Sequence, residues 1–410
     1  MPNFQEKLER YAALAVEVGV NVQPGQTLVI STSLSCAPFV RLVVKKAYEV
    51  GAKNVHVEWN DDVVTRTKYE LAPDEAFTEY PEWRAKGWEQ MAADNAAFLS
   101  IIAPNPDLLK GTKPERIANA NKAAGIALKA WRSYTMSDKV SWSIVAVPSP
   151  DWAAKVFPDV DPSKQEDALW DAIFAATRMN EEDPVAAWKS HIEVLDTKAS
   201  HLNEKKFRKL HYTAPGTDLT IELAPGHIWI SAGSENAKGD IFVANMPTEE
   251  VFTAPLRGGV NGTVSSTKPL SYGGNLIKDF SLTFKDGQIV DVQAEEGLEV
   301  LKNLVATDDG AAYLGEVALV PHRSPISDTN LVFYNTLFDE NASCHLAIGK
   351  AYAFCIEGGK TMSEDEQVAN GLNNSLVHVD FMIGSAELNI EGERVDGTKE
   401  TLFRNGNWAF

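Results

Sequence analysis

Cysteine is scarce in this chain of 410 residues, with Cys36, Cys344 and Cys355 making up the whole complement. Three thiols cannot close a disulfide framework, and none lies in a CxxC pair, so the chain is not a stapled secreted scaffold. Positive charge is also short. Lys and Arg number 38 against 57 Asp and Glu, for a formal net charge of −19. That balance excludes nucleic acid and anionic membrane surfaces as natural partners, because like charges would be brought together. No apolar run is long enough to span a bilayer. The opening MPNFQEKLERY has neither the basic start nor the apolar stretch of a secretory signal, and a cytoplasmic location is expected. Without such a signal, the sequons at Asn261, Asn341 and Asn373 carry no weight.

Several catalytic signatures are missing too. No glycine set forms GxGxxG and no Walker-type phosphate loop occurs, which removes support for nucleotide binding. There is no HExxH for a zincin helix and no GxSxG for a nucleophile elbow. What is present, 44% hydrophobic and 23% charged residues, suits a globular protein. At this length two domains are expected.

The first half alternates between two periods. Leu8, Tyr11, Ala15 and Val18 recur at helical spacing up to Gly19. An apolar run from Thr27 to Ile30, a helical stretch from Ala37 to Val50 and a run from Asn54 to Trp59 then read as a parallel βαβ unit. Ala97 to Ile102 and Val140 to Val147 add two strands, with a helical segment between them from about Pro114 to Trp131. Ser163 to Phe207 is mostly helical. Near Leu210 the texture changes to short alternating runs, and Lys285-Asp286-Gly287 is a hairpin signal. The expected fold is α/β in two domains. Residues 1–190 form an open α/β layered domain, and residues 191–410 form a β-rich α+β domain.

Ligand-type residues gather in the second half. FDENASCHLAIGKAY, residues 338–352, begins acidic and is expected to run as a helix. On a helix, His345 and Tyr352 leave from one face, almost two turns apart. Asp339, Glu340, Asn341 and Ser343 are candidates for capping it. Cys344 would point about 100° away from His345 and reads as a buried bystander. In VHVDFMIG, His378 and Asp380 are two apart and share one face of a strand. Such a pair also has an ordinary explanation as a hydrogen-bonded His-Asp couple. Glu316 opens the apolar run GEVALV, where a carboxylate can simply be solvated. Of Glu249 and Glu250 in PTEEVFTAP, at most one can enter a given site, because neighbours in extended chain face opposite sides.

Taken together, one glutamate of that pair with Glu316, His345, His378 and Asp380, and Tyr352 beside them, makes an oxygen and imidazole set. It suits Zn, Mn or Co in a paired-metal hydrolase. His378-x-Asp380 also matches part of the facial triad of non-haem iron oxygenases. No histidine follows His378 to complete that triad, which sets it behind the hydrolase. A non-catalytic metal- or peptide-binding module is the competing class.

At these residues the sequence resembles the aminopeptidase T, aminopeptidase S and PepS family of metallo-aminopeptidases. The strings that carry the resemblance are HYTAPGTDL, NMPTEEVFTAP, STKPLSY, FKDGQIVD, GEVALVP, SPIS, YNTLFDENASCHLAIGKAY, HVDFMIGS and LFRNGNW, with NVQPGQTL and VSW in the first half. They run in order over nearly all of the second half. The resemblance implies a cytosolic homodimer that removes N-terminal residues from peptides, using two divalent ions (Zn, Co, Mn or Mg) in an enclosed cavity at the dimer interface. It implies Glu250, Glu316, His345, His378 and Asp380 as metal ligands, with the second glutamate of TEEVF chosen and Glu316 as the bridge. Tyr352 would be a catalytic neighbour, and Glu316 is expected to handle the proton. His322 and Arg323 depart from the expected pattern and would alter the pocket rim.

Overall fold

The computed structural model describes residues 3–272 and 275–410. The chain divides into two compact units: residues 1–189 with 233–247, and residues 190–232 with 248–410. Residues 233–247 thus belong to the first unit, an excursion that a single cut at residue 190 does not include.

The first unit is built on a four-stranded parallel sheet: β1 (Thr27–Ser33), β2 (Asn54–Asn60), β3 (Ala97–Ile102) and β4 (Trp142–Ala146), in the order β2-β1-β3-β4. Leu28, Val29 and Ile30 are all buried, as a strand covered on both faces requires. The crossover helix Ala37–Glu49 buries Phe39, Val43 and Ala47, one per turn, and ends before Gly51, whose φ of +98° suits the turn back into β2. The first helix, Phe4–Leu14, starts on a capping box between Asn3 and Glu6 and continues as a π-turn through Gly19. The excursion forms a hairpin of Gly233–Glu235 with Ile241–Val243. Met246 N–H then donates to Ile144 O at 3.0 Å, beside β4.

In the second unit a nine-stranded antiparallel sheet is formed by residues 209–214, 217–223, 255–265, 270–272, 275–285, 288–296, 389–393, 399–404 and 407–408. The hairpin expected at Lys285-Asp286-Gly287 is present, with Asp286 at φ +49° and Gly287 at +84°. A Cβ at Gly287 would lie 1.8 Å from Arg257 O, so only glycine fits. A smaller antiparallel sheet holds β5 (Val251–Thr253), β6 (Leu314–Leu319), β7 (His345–Gly349) and β8 (His378–Met382), in the order β8-β7-β6-β5. Val251, Val317, Leu319, Leu346, Ile348 and Phe381 from its inner face join Leu210, Tyr212, Ile221 and Leu282 of the large sheet in one apolar core. Burial of each such side chain stabilises the fold by about 1.5–3 kcal/mol, which fixes the register of the small sheet. The α/β architecture with a β-rich second half is as expected. Among the described residues no helix is long and apolar enough to cross a membrane.

One expectation is corrected. Residues 338–352 do not run as a helix. A single helical turn, Thr336–Asp339, passes into a 3-10 turn, after which Ser343 is extended and His345–Gly349 is strand. β7 pairs on both sides, with β6 and β8. Gly349, at φ +106°, breaks the backbone before Tyr352. The helical spacing of His345 and Tyr352 is real in the sequence, but pairing on both edges overrides it. Asn335, rather than the acidic residues, caps the short turn.

Candidate metal centre

The small sheet explains how distant residues converge. Across its ladder Glu316 pairs with Ala347, and Ala347 pairs with Asp380. Directly opposed residues project to the same face, and so do residues two apart on a strand. His345 stands two before Ala347 and His378 two before Asp380, so all four polar side chains leave from one face. Phe252 pairs with Ala318, and the same alternation brings Glu250 to that face from just ahead of β5. The residues between them, Ala318, Ala347 and Gly349, are small and leave room above the sheet. The opposite face is the apolar core described above.

Glu316 reaches this face only through a bulge. Leu314 pairs with Ile348 and Glu316 with Ala347, so two steps on β6 match one on β7. The extra residue is Gly315, where a Cβ would lie 2.4 Å from the carbonyl oxygens of Gly349 and Lys350. The bulge sends Leu314 into the core and Glu316, two residues later, to the opposite face.

Two triads result, Glu250/Glu316/His345 and Glu316/His378/Asp380, with the ligand atoms of each within 4.8 Å of one another. His345 Nε2 lies 3.1 Å from Glu250 Oε2 and 3.4 Å from Glu316 Oε1. His378 Nε2 lies 3.5 Å from Glu316 Oε2 and 3.5 Å from Asp380 Oδ1. Each oxygen of Glu316 therefore faces a different imidazole. Both rings are oriented from behind: His345 Nδ1 donates to Ser343 O at 3.1 Å and His378 Nδ1 to Lys350 O at 2.6 Å. A carbonyl only accepts, so the proton sits on Nδ1 and each Nε2 is left to face the carboxylates.

The electrostatics of the cluster favour a cation. Burial pushes Glu316 upward, and Asp380 and Glu250 add to the shift against His345 and His378. Burial alone would depress both imidazoles, yet bonds and charges from the carboxylates outweigh it. His345 is raised well above its ordinary value and His378 to about 9. Asp380, despite burial, is held low by His378 and His345. Among the described residues its buried Oδ1 has the 3.5 Å ion pair with His378 and no shorter hydrogen bond, which leaves it able to accept a further positive partner. A divalent ion fits this donor set of imidazole nitrogens and carboxylate oxygens.

Tyr352 stands over the centre, its ring centroid 4.7 Å from that of His378 and stacked on Phe354 at 5.1 Å. Burial, then the charges of Glu316 and Asp380, push its hydroxyl far up, so it stays protonated at neutral pH. Glu249 turns the other way, its Oε2 3.3 Å from His191 Nε2. Cys344 bonds the backbone of Val320 through its thiol, and burial pushes it up to about 12, so it offers no thiolate.

Glu340, a capping candidate by sequence, lies elsewhere in the structure. It is buried at 8% exposure, and its carboxyl is raised well above the ordinary range by burial and by the charges of Asp380 and Glu250. Its signal was present in the acidic DEN string, but the helix assignment pointed it elsewhere. Asp339 accepts from Phe333 N–H and Asn335 N–H at 2.7 and 3.0 Å and so shapes the loop ahead of Glu340. Asn341, a sequon by pattern, is fully buried.

The fold gathers imidazoles and carboxylates into a donor set of the kind that binds divalent ions in metalloenzymes. The family model described as thermophilic metalloprotease (M29) matches residues 4–408. Aminopeptidase AmpS of Bacillus subtilis (strain 168) is 60% identical over 410 residues, covering 100% of both chains. Aminopeptidase T of Thermus aquaticus is 43% identical over 409 residues, again covering 100% of both. The solved structure of wild-type AmpT from Thermus thermophilus superposes with a TM-score of 0.94 at 41% identity, covering 100% of each chain. The chain belongs to the M29 family of thermophilic metalloproteases and is a metal-dependent peptide hydrolase.

Proposed function

We propose that the chain works as an aminopeptidase with two divalent ions, one held by Glu250, Glu316 and His345 and the other by Glu316, His378 and Asp380. The activity itself, metal-dependent aminopeptidase, accords with the family and with the names of its relatives. Neither a non-catalytic module nor a non-haem iron enzyme is favoured. The observation that carries the paired-ion reading is Glu316, whose two oxygens face separate imidazoles at 3.4 and 3.5 Å. Bound there, two ions would supply Lewis acidity and bring a shared water's pKa to near 7.

The chain's own residues then divide the work. Glu316, with both oxygens engaged, has none free to carry a proton, so that role passes to Glu340. Glu340, buried one residue before Asn341, is the carboxyl we assign to take a proton from water and return it to the leaving amine. Tyr352 keeps its hydroxyl proton and donates it as a hydrogen bond to the developing oxyanion, worth roughly 3 kcal/mol. The domain that does this chemistry is the second unit, residues 190–232 and 248–410. The buried free thiols suit a reducing compartment. With the homodimer that the resemblance implies, they complete this reading as a cytoplasmic dimer, which light scattering on purified protein tests.

The deciding experiment compares an aminoacyl-4-nitroanilide with its N-acetylated form, using chelated protein before and after addition of Zn, Co, Mn or Mg. Cleavage should return with metal and only for the free amine. No cleavage at full occupancy by elemental analysis would overturn the proposal.

A further inference from the structure

We infer that Asn341 is a positioning residue whose single amide sets both the Glu250 half of the metal centre and the Glu340 carboxyl, an inference that rests on the paired-ion reading above. Asn341 is 0% exposed. Its Oδ1 accepts from Glu249 N–H at 2.8 Å, and its Nδ2 donates to Leu337 O at 3.1 Å and to Glu340 Oε1 at 3.4 Å. The backbone partners fix which way the amide points, since an N–H must meet its oxygen and a carbonyl its nitrogen. Glu250 lies one residue ahead of Val251, where pairing with Leu319 begins. The ladder thus sets the face from which Glu250 leaves, and its approach to the site also depends on side chains around Thr248 and Glu249. One is His191, whose Nε2 donates to Thr248 O at 2.9 Å, and the other is Asn341.

The two halves of the centre differ in this respect. His378 and Asp380 lie within β8, paired to β7 at Gly349 and Ala347, and the His378 ring is held by Lys350 O. Among the described residues Asn341 makes no hydrogen bond to His378 or Asp380; its bonds go to Glu249, Leu337 and Glu340. Removing the amide should loosen one ion and leave the other. Asn341 also shares Glu340 with the chemistry, so the carboxylate and the Glu250 ligand move together or are held together.

The test is calorimetric titration of metal-free protein with Zn(II), for the wild type, Asn341→Ala, Glu250→Gln and the double variant. The wild type should bind two ions. Asn341→Ala should keep one at wild-type affinity and weaken the other by about 10–100-fold, the usual effect of removing a group that orients a ligand. In the Glu250→Gln background, Asn341→Ala should add little further loss. Asn341→Asp keeps the acceptor for Glu249 N–H but loses the donors to Leu337 O and Glu340 Oε1. It should restore the second ion while kcat at saturating metal stays lower by about tenfold or more, as expected for a misplaced proton-transfer group. If Asn341→Ala does not fold, Asn341→Asp decides alone, and an unchanged kcat overturns the inference. Two unchanged affinities in Asn341→Ala, or equal weakening of both ions, also overturn it. A wild type that binds one ion, or a Glu250→Gln protein that keeps both tight, overturns the paired-ion reading instead.

Discussion

Gly315 lies against Gly349 so closely that a Cβ on Gly315 would stand 2.4 Å from the Gly349 carbonyl oxygen. This contact makes room for the bulge that turns Glu316 toward both imidazoles. Gly315→Ala must push the two strands apart, at a cost of about 1–3 kcal/mol. Its thermal midpoint should fall and its metal content should drop below that of the wild type. A protein with unchanged midpoint and full loading would show that the bulge does not need glycine.

Tyr352→Phe removes the proposed oxyanion donor and none of the proposed ligands. The expected result is a loss of about 100–1,000-fold in kcat with unchanged metal content by elemental analysis. A rate within twofold of the wild type would remove Tyr352 from the reaction.

The titration of His378 has a definite sign. Its folded value, about 9, lies above the ordinary value near 6.5. In metal-free protein its pairing with Asp380 and Glu316 contributes stability that is complete below about pH 6.5 and is lost as pH rises through about 9. The thermal midpoint of chelated protein should therefore fall between pH 7 and pH 9. Metal must displace the same proton, so apparent affinity should rise over that interval, by up to about tenfold per pH unit for each proton released. An affinity that does not change with pH would mean that the imidazoles are already neutral.

Cys344→Ala tests the thiol. Among the described residues the Cys344 thiol bonds only the Val320 backbone. Its loss should cost about 1 kcal/mol of stability and leave kcat and metal content within twofold of wild type. A lost ion would make Cys344 a ligand.

His322 and Arg323 lie in the loop that follows β6. His322 N–H donates to Gly406 O at 2.6 Å and Arg323 N–H to Asn407 Oδ1 at 3.0 Å. Both thus tie the loop after β6 to the C-terminal hairpin. The effect of their side chains on substrate choice remains a proposal, checked by comparing kcat/KM for several aminoacyl substrates in Arg323→Ala.

Chemistry carried by local spacing is legible in the sequence. His378-x-Asp380 shares a strand face because alternation is a property of the backbone. The change from helical to alternating periods near Leu210 likewise announces the β-rich half. The segment around His345 misled, since helical spacing and an acidic start are also met by a strand paired on both edges, and pairing partners are not visible from within the segment. The choice of Glu250 over Glu249, the face taken by Glu316 and the burial of Glu340 and Asn341 all depend on contacts between residues far apart in the chain. By itself, the sequence determined the donor types and the two-part α/β plan, through composition and short-range periodicity. Only the tertiary structure decided which carboxylates share a face, because a single unpaired residue, Gly315, reverses the side on which every later group of β6 emerges.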